Sequence, residues 1–182
     1  MSLFLAIRPP ETIREQIITT FQDKDIPKEL WERKDDLHIT LLYFQNKIPS
    51  EDKLESIKKK LKTFSFSPFM IQTKAMSYWT RKENYQILHL EIILSQELKK
   101  FQSEIVSLFP EVRKSIHAFT PHISLIRSSE ISQAKVEELK NKFSDFSTEP
   151  FLVNQIHLYI GEKDFENNKR NRYRIIESFS SK

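Results

Sequence analysis

Leu37 to Phe44 read LHITLLYF, an apolar run of strand length interrupted by one histidine. Successive strand side chains alternate between faces, so His38 and Thr40 emerge together with Leu42 and Phe44. Ile39, Leu41 and Tyr43 take the other face. Thr120 to Arg127 read TPHISLIR and repeat the arrangement, with Ser124 two positions after His122. Pro121 cannot donate to a ladder, which puts it, and His122 behind it, at the start of a strand. Taken singly, each motif reads as a structural histidine satisfied by a backbone carbonyl. A pair of them 84 positions apart asks for a common explanation.

The surrounding pattern repeats as well. Periodicity predicts strands near 3–7, 37–44, 69–79, 85–94, 121–127, 151–160 and 171–179. It predicts helices near 10–22, 51–63, 96–109 and 131–143. The first helix opens on Pro9, Pro10 and Glu11, prolines at the entry and an acid in the first turn. Ser50, Ser95 and either Ser129 or Ser132 are the expected caps of the others. After the first strand the order is helix, strand, helix, strand, strand, and then the same again. The strands at 69 and 151 are 82 apart and those at 85 and 171 are 86 apart, which brackets the histidine offset. The expected architecture is α+β and bilobal: two pseudo-symmetric lobes, built from 1–94 and 95–182 of a single domain 1–182.

Composition narrows the chemistry. The 182 residues suffice for one compact domain, and 30% charged against 38% hydrophobic residues suits a soluble fold. The formal net charge of +4 permits an anionic partner without demanding one. Without cysteine there are no disulfides and no thiolate metal sites, as a reducing compartment would favour. No apolar run approaches the roughly 18 residues of a membrane span. Leu3 to Ile7 is too short for a signal peptide, and a cytoplasmic protein is expected. The one glycine, Gly161, excludes both GxGxxG and GxxxxGK[ST] phosphate cradles, so any phosphate must be held by side chains or helix ends.

Two imidazoles and two hydroxyls in one cleft suit phosphodiester cleavage without metal. Histidine titrates near pH 6.5, so one ring can be a neutral base while the other is a cationic acid. Thr40 and Ser124 can donate to the non-bridging oxygens, where charge builds in the transition state. The chain has five histidines, but H-x-T is not a zinc spacing and no carboxylate accompanies either motif, so no metal and no cofactor are expected. His89 and His157 stand alone in strand patterns and read as structural or rim residues; His117 reads as an exposed turn residue.

LHITLLYF and FTPHISLIR resemble the paired H-x-[ST] motifs of the 2H phosphoesterase superfamily. Within it the chain is most similar to the RNA 2′,3′-cyclic phosphodiesterases, also called 2′-5′ RNA ligases. The opening LFLAIRPPETIREQI, the approach ELWERKDDLHITL, and the closing VNQIHLYIGEK and RYRIIESF extend the resemblance to nearly the whole chain. The resemblance implies antiparallel sheets flanking a central cleft, with helices outside. It implies hydrolysis of 2′,3′-cyclic phosphate ends of RNA, or of cyclic nucleotides, to 2′-phosphomonoesters. By motif position His38 is the acid that protonates the departing 3′ oxygen and His122 the base that activates water, with Thr40, Ser124 and Arg127 on the phosphate. Where the family often has a glycine after the first motif, this chain has Gln45 and Asn46.

Arg127 lies five residues beyond His122, an odd number, so it reaches the same face only through a bulge, a strand end or its long side chain. Phe4 and Phe44 are the expected base-stacking rings, with Trp31 and Tyr173 as further candidates. Lys169 to Arg172 form a basic tip suited to an RNA backbone. Two other readings stay open from sequence: joining RNA ends through a 2′-5′ bond, the same chemistry with a 5′-hydroxyl in place of water, and a non-catalytic nucleotide or RNA-binding module. Nothing in the sequence calls for an obligate interface, and a monomer is expected.

Overall fold

The computed structural model describes residues 2–21, 25–45, 49–112, 118–163 and 171–182. His117, Lys169 and Arg170 lie outside them. In chain order the elements are β1 (Ser2–Ile7), α1 (Glu11–Phe21), β2 (Ile39–Gln45), α2 (Glu51–Thr63), β3 (Phe69–Ile71), β4 (Thr73–Thr80), β5 (Gln86–Ile92), α3 (Gln96–Leu108), β6 (His122–Ser128), α4 (Gln133–Lys142), β7 (Phe151–Val153), β8 (Gln155–Lys163) and β9 (Asn171–Ser180).

Two helices start on the side-chain caps expected of them, whereas Ser50 stands at the N-cap of α2 with no cap bond from its side chain. The Ser95 hydroxyl accepts the Leu98 N–H at 3.1 Å, and Ser132, rather than Ser129, accepts that of Lys135 at 3.2 Å. Each helix buries one stripe: Ile13, Ile17 and Phe21 on α1, Ile57 and Leu61 on α2, Leu98, Phe101 and Ile105 on α3, Val136 and Leu139 on α4. All these residues join one core with Leu3, Leu5 and Ile7 of β1, Ile39 of β2 and Ile123 of β6. The helices therefore cover one face of the sheet and leave the other to the alternate residues. Among the described residues no helix is long and apolar enough to cross a membrane.

Two predicted strands are each cut in two. The break at Gln72 separates β3 from β4, and that at Asn154 separates β7 from β8. The short pieces pair with each other as a two-stranded antiparallel sheet. The long pieces join a seven-stranded antiparallel sheet of order β4-β5-β6-β2-β1-β8-β9. The chain thus crosses from one arm to the other through β3 and returns through β7, and these two crossings are hydrogen-bonded together. As a result β4 and β5 pair with β6, and β8 and β9 lie beside β1. Each arm draws strands from both sequence halves, so the arms are not the segments 1–94 and 95–182.

The arms meet at β2 and β6, whose ladder is one residue couple, Ile39 opposite Ile123. Both side chains are fully buried. Truncating a buried isoleucine to alanine costs about 2–5 kcal/mol where the cavity cannot collapse. Ile123→Ala is therefore expected to lower the unfolding free energy in urea by about that amount, with an unchanged m-value; a loss below about 1 kcal/mol would mean that the joint is not packed as described.

Candidate active site

The register of the β2–β6 couple decides what lies on the open face. With Ile39 opposite Ile123 and both pointing into the core, the residues one step away on each strand point the other way. These are His38, Thr40, His122 and Ser124. Antiparallel pairing sets His38 beside Ser124 and Thr40 beside His122. The two histidines are then diagonal neighbours, about 7–8 Å apart at the backbone. All four motif residues come together, and the imidazole of His38 feels the charges of His122 and Arg127.

Each strand carries a bulge directly after its motif. In β2, Leu5 of β1 faces Leu42 while Ala6 faces Thr40, so Leu41 is the extra residue. In β6, Leu88 of β5 faces Ile126 while His89 faces Ser124, so Leu125 is the extra residue. A bulge frees backbone groups that must find other partners. The Leu41 carbonyl accepts Gln102 Nε2 of α3 at 3.3 Å, and the Leu125 carbonyl accepts the Glu32 N–H at 2.7 Å. Leu125 and Ile126 both turn into the core, which returns Arg127 to the histidine face. Its Nη2 donates to Ser124 Oγ at 2.7 Å, and its Nε lies 3.6 Å from Glu32. Because that oxygen accepts from Arg127, the Ser124 O–H is left to donate outward.

The bulge in β2 has the corresponding effect and corrects the aromatic assignments. Phe44 turns to the core side and packs edge-on against Phe109 at 4.8 Å. Phe4 is 2% exposed and lies between Tyr159, at 5.2 Å and 3° between planes, and Tyr43, at 6.0 Å and 9°. Neither phenylalanine offers a free ring face to a base. Trp31 sits in the core, bridged to Ile126. The ring that reaches solvent is Tyr43, which alternation alone had placed on the opposite face; it is half-exposed and ends the stack Tyr159–Phe4–Tyr43. Tyr43 and Arg127 occupy the same place relative to their histidines, five residues on. That shared offset is the signal in the sequence that could have found both.

Both motif histidines are oriented by the carbonyl two residues earlier. His38 Nδ1 lies 2.6 Å from the Asp36 carbonyl and His122 Nδ1 2.9 Å from that of Thr120. A carbonyl only accepts, so Nδ1 carries the proton and Nε2 is free to take or give one. Asp36, which sequence reasoning missed, does more. Its buried carboxylate accepts the Tyr173 N–H at 3.2 Å and Arg33 Nε at 2.6 Å, tying β9 to the His38 approach. The Tyr173 ring then stands 4.8 Å from that of His38. Gly161 leaves room beside it: a Cβ there would collide first with the Ser2 hydroxyl and would also press on the Tyr173 ring at 3.2 Å.

Burial sets the protonation states. It pushes His38 down to about 4, with Arg127 and His122 adding to the fall and the bond to Asp36 opposing it. Burial also lowers His122. His89 and His157, both on this face, are pushed down to about 4 by the same cause. Among the described residues no three His, Asp or Glu side chains gather as metal ligands would.

The profile of the 2′-5′ RNA ligase superfamily matches residues 9–165 of the chain. Among solved structures, LigT of Escherichia coli complexed with 3′-AMP is 22% identical, covering 99% of this chain and 97% of that one, with a TM-score of 0.74. TT0787 of Thermus thermophilus is 19% identical over 99% and 97%, with a TM-score of 0.73. Usb1 of Kluyveromyces marxianus is 12% identical over 96% of each chain, with a TM-score of 0.50. These likenesses establish the fold. No curated protein matches the chain in sequence.

The depressed histidines make stability depend on acid. An unfolded histidine binds a proton near pH 6.5, whereas the folded His38, His89 and His157 bind one only near pH 4. Their contribution is complete above pH 6.5 and is lost as the pH falls through about 4. Thermal unfolding should show Tm falling across this window, less steeply in His157→Gln; a Tm flat from pH 7 to 4 would contradict the assigned burial.

Proposed function

The chain belongs to the 2′-5′ RNA ligase superfamily, and from that premise we propose that it hydrolyses 2′,3′-cyclic phosphates of RNA ends or nucleotides to 2′-phosphomonoesters, without metal. What carries the reading is the pair of imidazoles on one face, each with Nδ1 bonded to a carbonyl and Nε2 free. In the reaction, a water oxygen attacks phosphorus opposite the 3′ oxygen. His122 Nε2 takes the water's proton, His38 Nε2–H protonates the 3′ oxygen, and the P–O3′ bond breaks. Thr40 and Ser124 donate to the non-bridging oxygens, and Arg127 adds its charge to the phosphate through the same Ser124.

The depressed basicity of His38 fits this scheme. In the free protein the ring is neutral at pH 7, and an acid must carry a proton. The anionic phosphodiester supplies the missing condition, since a negative charge beside an imidazole favours its cationic form. Substrate thus brings about the protonation that its own cleavage needs. The half-exposed ring of Tyr43 offers a face on which a base can extend the stack, worth about 1–3 kcal/mol in single-strand binders. The 3′-AMP held by the E. coli relative supports a nucleotide-sized ligand.

His38→Ala and His122→Ala should each lower kcat at least about a hundredfold, the usual scale of general acid–base catalysis. EDTA should leave the rate unchanged. Because His38 is held down to about 4 in the free protein, kcat/KM should peak below pH 6.5. The profile of kcat, which reports the complex, should lie at higher pH. Full turnover by either alanine variant, or a 3′-phosphate product, would sink the assignment.

A further inference from the structure

The carboxylate of Asp36 is 4% exposed, and no step of the hydrolysis scheme uses it. Burying a carboxylate is costly unless it is paired and hydrogen-bonded, so its partners show what it holds in place. They are the Tyr173 N–H at 3.2 Å and Arg33 Nε at 2.6 Å. β9 is an outer strand of the large sheet, where N–H groups on the free edge need partners from elsewhere. The same residue reaches His38 through its main chain. A turn over Lys34–Asp36 spends the carbonyls of Arg33 and Lys34 on the N–H groups of Asp36 and Leu37, at 2.9 and 3.4 Å. The carbonyl of Asp36 is left to accept His38 Nδ1–H at 2.6 Å. Around that imidazole, Tyr173 stands edge-on at 4.8 Å and Phe4 lies at 4.9 Å. Such packing leaves a half-turn about Cβ–Cγ sterically cheap, because the nitrogen and carbon edges of an imidazole are alike in size. The bond to the Asp36 carbonyl opposes it.

We propose that Asp36 is the positioning residue of the acid: its carboxylate, anchored on β9, fixes the place of its own carbonyl, and that carbonyl fixes the tautomer and direction of His38. The inference rests on the acid role given above to His38. Without the anchor the turn is free to shift, and a displacement of about 1 Å is enough to cost about a hundredfold in rate. Proton affinity changes with it. A cationic imidazole donates more strongly to a carbonyl than a neutral one, so the Asp36 bond favours the protonated ring and its loss disfavours it. Besides Asp36, the titratable groups facing the ring are His122 and Arg127 from β6, Tyr159 from β8 and Tyr173 from β9. All of these stay in place when Asp36 alone is changed.

Three variants separate position from charge. Asp36→Asn keeps an acceptor for the Tyr173 N–H and removes the charge. Asp36→Glu keeps the charge and displaces the carboxylate by one methylene, and Asp36→Ala removes both. The ¹⁵N shifts of the His38 ring report its tautomer, with His122, bonded to the Thr120 carbonyl, as the internal control. Wild-type and Asp36→Asn protein should keep Nδ1 protonated. Asp36→Glu and Asp36→Ala should populate the Nε2–H form and lower kcat for 2′,3′-cyclic AMP at least about tenfold, with KM within about twofold. Their peak of kcat/KM should move toward acid by about half a pH unit or more. A loss in Asp36→Asn equal to or greater than that in Asp36→Glu would overturn the proposal, because charge rather than position would then matter. So would a folded Asp36→Glu with the wild-type tautomer and pH profile. Should Asp36→Ala not fold, the other two variants decide. Wild-type protein without hydrolysis would count against the reading beneath this one, and the tautomers would still decide whether Asp36 holds the ring.

Discussion

One antiparallel couple, Ile39 opposite Ile123, carries the geometry of the whole site. Because side chains alternate, burying these two isoleucines on the helix side obliges His38, Thr40, His122 and Ser124 to share the other side. A shift of register by one residue would reverse every one of them. The hydrophobic core thus sets the chemistry. It is the free energy of burying two branched side chains that holds two imidazoles on one face, with no bond between the imidazoles themselves.

The next constraint is the pair of bulges. Each inserts one residue just beyond its motif and sends two consecutive apolar side chains into the core, so the residues that follow take the faces opposite to those strict alternation gives them; β2 shifts register again where its pairing with β1 skips Phe44. Arg127 is thereby brought back to Ser124, and Tyr43 is exposed while Phe44 is withdrawn. Both bulges survive because the carbonyl each sets free has a donor from outside the ladder, Gln102 in one case and Glu32 in the other. Glu32 also stands beside Arg127, so the approach to the first motif helps hold a residue of the second.

Much of this was legible from residues alone. The helices fell within a few positions of their predicted limits, since caps and apolar stripes are local signals. The histidine pair was legible because period two is local as well. What local pattern could not give was the pairing. Nothing in LHITLLYF says that Leu41 will bulge, because two leucines in a row serve a straight strand equally well, and so Phe44 was expected where Tyr43 stands. The role of Asp36 depends on the Tyr173 N–H, 137 positions away. The split of residues 69–79 into two strands depends on Phe69–Ile71 finding Phe151–Val153, a partner in the other half of the chain.

The arrangement joins two opposed requirements. Burial keeps His38 neutral in the free protein, whereas the acid role proposed for it needs a cation; an anion between the rings would reconcile the two. The direct measurement is a pH titration of the His38 and His122 imidazole signals by ¹⁵N NMR, with and without one equivalent of 2′-AMP. If one phosphate lies between both rings, the two midpoints rise together on binding and both Nε2 resonances shift. A ligand that moves only one imidazole, or neither, would contradict a shared phosphate.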